Sequence, residues 1–270
     1  MGGPFDHAQG RDILVEQRDG IATVTFNRPD QRNAISYDMW LELQKLAEDL
    51  DTSPSVRLVV FRGSGDEAFS AGADIKDFEL HRSDSAKAHV YDSAVEGGMD
   101  AVEALSRPTI CLIKGYCVGG GFELTHACDL RIAADNARMG IPAARLGISI
   151  GYQEMRRLVQ LAGRGGALDI LLTGRLMDAH EALRLGLVHR VVPLAQVEEY
   201  TYDLAQQVAR LAPLSHRAHK KIIRTVLDDP ALSSLSPEKE ALPFMHFDTQ
   251  DFQEGRRAFL EKRRPEFKGR

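Results

Sequence analysis

Apolar positions recur at two distinct periods along the chain, and the change from one to the other marks its elements. In "DILVEQRDGIATVTFNRP" two β-rich runs flank Asp19-Gly20, a pairing that predicts a hairpin. After the break at Arg28-Pro29 the period lengthens. "SYDMWLELQKLAEDLD" places Met39, Leu43, Leu46 and Leu50 on one face behind Ser36 as N-cap, which predicts an amphipathic helix. "RLVVFRG" (57–63) reads as a buried strand, "AKAHVYDSAVEGGMDAVEALSRP" as helical, and "TICLIKGYCVGG" as a further buried strand ending in glycines. This alternation predicts an α/β arrangement with a partly parallel sheet. From Asp178 the texture becomes helical. A capping box from Asp178 to Glu181 opens "DAHEALRLGL", and "VEEYTYDLAQQVARLAP", "SHRAHKKIIRTVL" and "DTQDFQEGRRAFLEKRRPEF" follow as helices around the loop-rich "DDPALSSLSPEKEALP". The expected organisation is a core over 1–195 and a helical region over 196–270.

Composition narrows the class. With 270 residues, 43% hydrophobic and 27% charged, the chain can bury one large core. A net charge of -5 lacks the basic footprint of nucleic-acid binding. Cys111, Cys117 and Cys128 form no CxxC pair, which suits a reducing compartment. The first twenty residues show neither a basic n-region nor an apolar stretch, and no long apolar run follows, so a cytoplasmic protein without a membrane span is expected.

Candidate chemistry sits where strands run into glycines. "FSAGADIKDF" (69–78) and "GGGFEL" (119–124) both turn sharply into a predicted helix, where free N–H groups and the positive helix end face outward. Two such turns can form an oxyanion hole. The competing reading is a pair of tight turns or a phosphate cradle, although neither GxGxxG nor GxxxxGK[ST] is present. Glu123 lies on the first turn of the helix that follows Gly120, inside a buried stretch. A carboxylate there is costly unless paired or employed, and burial would raise its pKa into a range useful for proton transfer. A charge favoured by the helix dipole is the alternative.

The chain resembles the crotonase, or enoyl-CoA hydratase/isomerase, family through "RPDQRNAIS", "FSAGADIKDF", "GYCVGGGFELTHACDLRIAADNARMGIP", "LLTGRLMDAHEALRLGLVHRVVP" and the terminal "AFLEKRRPEF". The resemblance implies a crotonase-like spiral of ββα repeats with a C-terminal helical region that packs subunits into a homotrimer or homohexamer. It implies an acyl-CoA thioester substrate whose carbonyl oxygen is held by the amides of Ala73 and Gly120. Coenzyme A, part of the substrate and not a separate cofactor, would meet Arg32 near its phosphates and Ala71, Asp74, Ile75 and Lys76 around its adenine. Phe259 and Lys262 of the terminal helix match positions that reach a neighbouring subunit's CoA; core packing and a solvated helix face are their plainer readings.

Glu123 matches the first of two glutamates that hydratases of this family use on water, and the second is missing. Immediately after the proline of "GIPAARLG" stands Ala143, which carries no proton. A positioned acid or base is worth about 10²–10⁴-fold in rate. Glu154 and Tyr152 are the nearest replacements, Glu154 having a structural alternative with Arg156, Arg157 and its own helix start. His126 reads as a satisfied core residue. Within the family, a hydratase-type lyase with Glu123 as acid/base is expected. A decarboxylase or thioester hydrolase tolerates Ala143 better, isomerases fit worst, and a non-catalytic CoA-binding protein would gain nothing from a buried Glu123. The acyl group has no signature.

Overall fold

The computed structural model describes residues 11–270. β1 (Ile13–Arg18) and β2 (Ile21–Phe26) form the expected hairpin, with Ile13 opposite Phe26 and Arg18 opposite Ile21. α1 (Tyr37–Thr52) starts where Ser36 Oγ accepts the Met39 N–H. Its buried face carries the four predicted residues together with Trp40 and Ala47.

From there the chain winds in ββα turns. β3 (Leu58–Gly63) leads to β4 (Ala68–Ser70), α2 (Ile75–His81) and α3 (Ser85–Ala104). β5 (Thr109–Ile113) leads to β6 (Tyr116–Val118) and α4 (Gly120–His126). β7 (Leu130–Ala134) leads to β8 (Arg138–Gly140), a 3-10 turn over Ala143–Leu146 and α5 (Tyr152–Thr173). β9 (Met177–Asp178), α6 (Ala179–Arg184) and β10 (Arg190–Val192) complete the winding. The first strand of each turn joins a sheet of order β1-β2-β3-β5-β7-β10, parallel from β2 onward, and the second joins a sheet of order β4-β6-β8-β9. This is the crotonase-type spiral. The single strand read through 109–118 is therefore two, divided at Lys114-Gly115, where the chain passes from one sheet to the other.

Because the large sheet is covered on both faces, its parallel strands are apolar without alternation, and all five residues of β5 are buried. One face packs on a core with Trp40, Phe61, Phe69 and Phe122. The other packs Leu58, Val60, Ile110, Leu112 and Ile132 against Val197, Ala205 and Ala209 of α7 (Val197–Ala209). α8 (Pro213–Asp228), α9 (Pro237–Ala241) and α10 (Gln250–Leu260) follow.

Two local expectations change. Asp178 caps α6 by accepting the Glu181 N–H at 2.8 Å, but the Glu181 carboxylate turns to Arg175, so the box is half formed. The last helix stops at Leu260, and Lys262 lies beyond it with a left-handed φ of 54°. Phe244, Phe247, Phe259 and Leu260 leave a largely exposed apolar surface on this end of the chain. Among the described residues, no helix is long and apolar enough to cross a membrane.

Candidate active site

The two glycine turns come together. Gly72 has φ 103° and Gly119 φ 50°, and a Cβ on Gly72 would lie 2.9 Å from the Val118 carbonyl oxygen and 3.7 Å from the Gly119 Cα. Side chains are excluded because the two backbones touch. Ser70 Oγ accepts the Gly72 N–H at 3.1 Å and holds the first turn. Around Ala73 the Ile35 N–H donates to Gly72 and the Asp74 N–H donates to Ile35, so the ladder passes over the Ala73 N–H. Gly120 is the first residue of α4, where an N–H has no acceptor within the helix. Both residues line one cavity of about 270 Å³. Gly121 serves packing: a Cβ there would lie 2.5 Å from Ser70 Cβ, so the third glycine lets α4 lie against β4.

Glu123 lines the same cavity from the first turn of α4 and is 8% exposed. Burial first, then the charges of Glu154 and Asp92, push its carboxyl up to about 8 against the opposing pull of Arg82. It is mainly protonated at neutral pH, which a charge kept for the helix dipole would not be. Ala143 opens the 3-10 turn after Pro142, and both line the cavity. The place that the resemblance gives to the second carboxylate is thus at the cavity wall and carries only a methyl.

Glu154 enters the cavity from the first turn of α5. Burial drives its carboxyl upward, and Asp92 and Glu96 push the same way against its own amide. Of its structural alternatives, the place at its own helix start is realised, since it sits in the first turn of α5 and its own amide favours the charged form, while neither arginine pairs with it. Arg157 pairs with Asp100 at 2.5 Å and Glu103 at 2.6 Å, and Arg156 with Glu103 and Asp228, each at 3.6 Å. Tyr152 is 93% exposed and does not line the cavity. His126 is a core residue but not a satisfied one: its ring meets Phe122 edge-on at 4.5 Å, and neither nitrogen has a partner. Burial, with Arg131 and Arg157 nearby, lowers its pKa to about 3 and keeps it neutral.

The residues assigned to coenzyme A are less concentrated. Ala71 lines the cavity, and its N–H donates to the Arg32 carbonyl at 2.9 Å, which ties Arg32 to the rim. The Arg32 side chain pairs with Glu67 at 2.6 Å and lies over the Tyr116 ring. Asp74 caps α2 and pairs with Arg28 at 2.6 Å; burial would raise its pKa, but Arg28 and the Lys76 N–H hold it below the ordinary range. Lys76 is exposed at the start of α2, and the Ile75 side chain lies outside the described residues. Phe259 is 84% exposed, and neither it nor Lys262 lines the cavity within one chain.

Sequence reasoning missed Trp40, Phe78, Arg82, Tyr91 and Asp92, which complete the wall. Arg82 stacks on Phe78 and Tyr91, 4.8 Å from each ring centre. Burial pushes the Tyr91 hydroxyl up to about 12, so it stays protonated. For Phe78 and Arg82 the available signal was their spacing of four in "DFELHR", which places them on one helix face. Among the described residues no cluster of His, Cys, Asp and Glu suits a metal, and the three cysteines are buried and free.

Comparison with known proteins agrees with this architecture. The enoyl-CoA hydratase/isomerase family model matches residues 16–270. A probable enoyl-CoA hydratase of Mycobacterium bovis is 37% identical over 256 residues, covering 94% of this chain and 97% of the relative. A crotonyl-CoA hydratase of Syntrophomonas wolfei is 34% identical, covering 95% and 97%. The crystal structure of an enoyl-CoA hydratase/carnithine racemase from Magnetospirillum magneticum superposes with a TM-score of 0.93 at 37% identity, covering 97% of each chain. With the family model spanning nearly its whole length and relatives of this identity, the chain belongs to the enoyl-CoA hydratase/isomerase family, whose spiral fold it has.

Proposed function

We propose that the protein is a hydratase-type lyase that adds water to a 2-enoyl-CoA. The observation that carries this reading is the meeting, in one cavity, of the buried carboxyl of Glu123, pushed up by its burial, and two turns that leave the N–H groups of Ala73 and Gly120 open. The Ala73 and Gly120 amides would hold the thioester oxygen as it gains negative charge, and Glu123 would handle the proton that hydration moves. No cofactor beyond the substrate's own coenzyme A is called for. Arg32, Ala71, Asp74, Ile75 and Lys76 would line its path, with Phe259 and Lys262 supplied by a neighbouring subunit of a trimer or hexamer. The exposed aromatic residues of the C-terminal end support such an assembly. Relatives named for crotonyl-CoA and short-chain enoyl-CoA hydration support a short acyl group.

Ala143 favours one second reading. A decarboxylase or thioester hydrolase needs the oxyanion hole more than a second carboxylate at that wall. A screen of crotonyl-CoA, malonyl-type and aryl acyl-CoA thioesters by mass spectrometry separates the two by the mass gained or lost. Gly120→Pro removes one N–H at the first position of α4, where a Cβ would lie 3.3 Å from the Trp40 ring, and in protein shown to be folded turnover should fall on the order of 10²–10³-fold. Undiminished turnover in that variant would discard the oxyanion hole.

A further inference from the structure

Ala143 leaves one wall of the cavity without a carboxyl, yet a second carboxyl is present. Glu154 is 3% exposed, and both its oxygens lie without a hydrogen-bond partner. Buried polar groups are almost always paired, so one left open toward a cavity calls for a ligand or a reaction. No cation pairs with it, and its nearest neighbours add like charge. A Cβ on Gly151 would lie 2.5 Å from Glu154 Oε2 and 3.4 Å from both Asp92 Oδ2 and Glu96 Oε1, so three acids of α3 and α5 crowd one point. Glu123 faces it from α4 and Arg82 from the end of α2. Arg157, one turn along α5, is committed to Asp100 and Glu103.

We propose that Glu154 is the second proton-carrying carboxyl of the site, supplied from the start of α5 in place of the position that Ala143 occupies. The inference rests on the hydratase reading above. Like charges in one cavity resist joint ionisation, so once one of Glu123 and Glu154 is ionised the other holds its proton more tightly. In hydration the water oxygen bonds to the enoyl Cβ while the ionised member of the pair takes the proton that water releases. The protonated member delivers its proton to Cα as the enolate at the Ala73 and Gly120 amides collapses. One C–O and one C–H bond form, a water O–H and the C=C π bond break, and the pair ends with its proton exchanged.

The test is the pH profile of crotonyl-CoA hydration by the full-length protein as wild type, Glu123→Gln, Glu154→Gln, and Glu154→Gln combined with Ala143→Glu. Glu154→Gln should lower kcat about 10²–10⁴-fold with KM little changed and remove one limb of the pH profile. Adding Ala143→Glu should return part of both. Unchanged turnover in Glu154→Gln, or a loss with both limbs intact, overturns the assignment. If Glu123→Gln abolishes hydration while Glu154→Gln leaves it untouched, only this inference falls. A wild type that hydrates no enoyl-CoA overturns the hydratase reading and this inference with it.

Discussion

Replacing Glu123 by glutamine should stabilise the fold at alkaline pH while it removes turnover. In the unfolded chain the carboxyl titrates at its ordinary 4.5; in the folded protein burial holds it at about 8. Below 4.5 both states are protonated and the site costs the fold nothing. Between 4.5 and about 8 the unfolded chain releases the proton that the folded chain keeps, so wild-type stability falls as pH rises. Each pH unit of that interval is worth 1.36 kcal/mol, which bounds the whole loss at about 5 kcal/mol. Water entering the cavity and local relaxation reduce it, so about 3 kcal/mol between pH 5.5 and 8.5 is the working expectation. Glutamine does not titrate and avoids this slope. Urea unfolding of wild type and variant at pH 5.5, 7 and 8.5 reads the difference directly. The variant should gain on wild type steadily with pH. A stability difference that is the same at all three values refutes the raised carboxyl, and with it the physical basis for Glu123 as a neutral-pH acid.

His126 supplies an opposite slope: lowered from 6.5 to about 3, it favours the fold above pH 6.5 and withdraws that contribution as pH falls toward 3. His126→Phe should flatten this acid limb and, by removing two unpaired ring nitrogens, raise stability at pH 7 by about 1–3 kcal/mol; urea unfolding at pH 5 and 7 checks both. Gly72→Ala should destabilise the fold and abolish turnover together, since φ 103° and the Val118 carbonyl at 2.9 Å leave a methyl no place; thermal melting with an activity assay shows whether the two losses coincide. Light scattering at micromolar concentration should give three or six times 29.9 kDa, and a monomer mass would remove the neighbouring-subunit role of Phe259 and Lys262.

Elements whose pattern extends over several periods were legible in the sequence. The Asp19-Gly20 hairpin, α1 behind Ser36 and the apolar run of β5 all reach five or more residues. β4, β6 and β8 have three residues each, too few for a period of two to declare itself, and so the second sheet was not visible. Its existence depends on the corner at Lys114-Gly115, which reads as a strand continuing. The same limit governed the site. The two glycine turns and Glu123 were readable from the residues themselves, while the choice of the Ala73 and Gly120 amides within those turns came from the family resemblance. Trp40, Arg82, Tyr91 and Asp92 are ordinary residues of α1, the end of α2 and α3, and only the winding of the spiral brings them to one wall.

Glu154 was visible in the sequence only as one of two replacements, for a reason that also explains its position. On a helix, Arg157 at i+3 is the natural partner for a glutamate at the first turn, and the sequence offers that pairing. The fold withdraws it by burying Arg157 to 2% exposure against α3, where Asp100 and Glu103 pair with it from one helical turn. A buried guanidinium requires such counter-charges, so the arginine cannot also serve Glu154. The ion pairs therefore act twice: they fasten the start of α5 to α3, and they leave the carboxyl one turn earlier without a partner at the cavity. A carboxyl after Pro142 would ride on a short 3-10 turn whose other residues, Leu146 among them, are largely exposed. On α5 it is held by a helix anchored on a neighbouring helix, the more rigid support for a group that must meet a reacting atom within a fraction of an ångström. Alanine at 143 is consistent with this arrangement, since a third carboxyl beside Glu123 and Glu154 would raise the cost of ionising any of them.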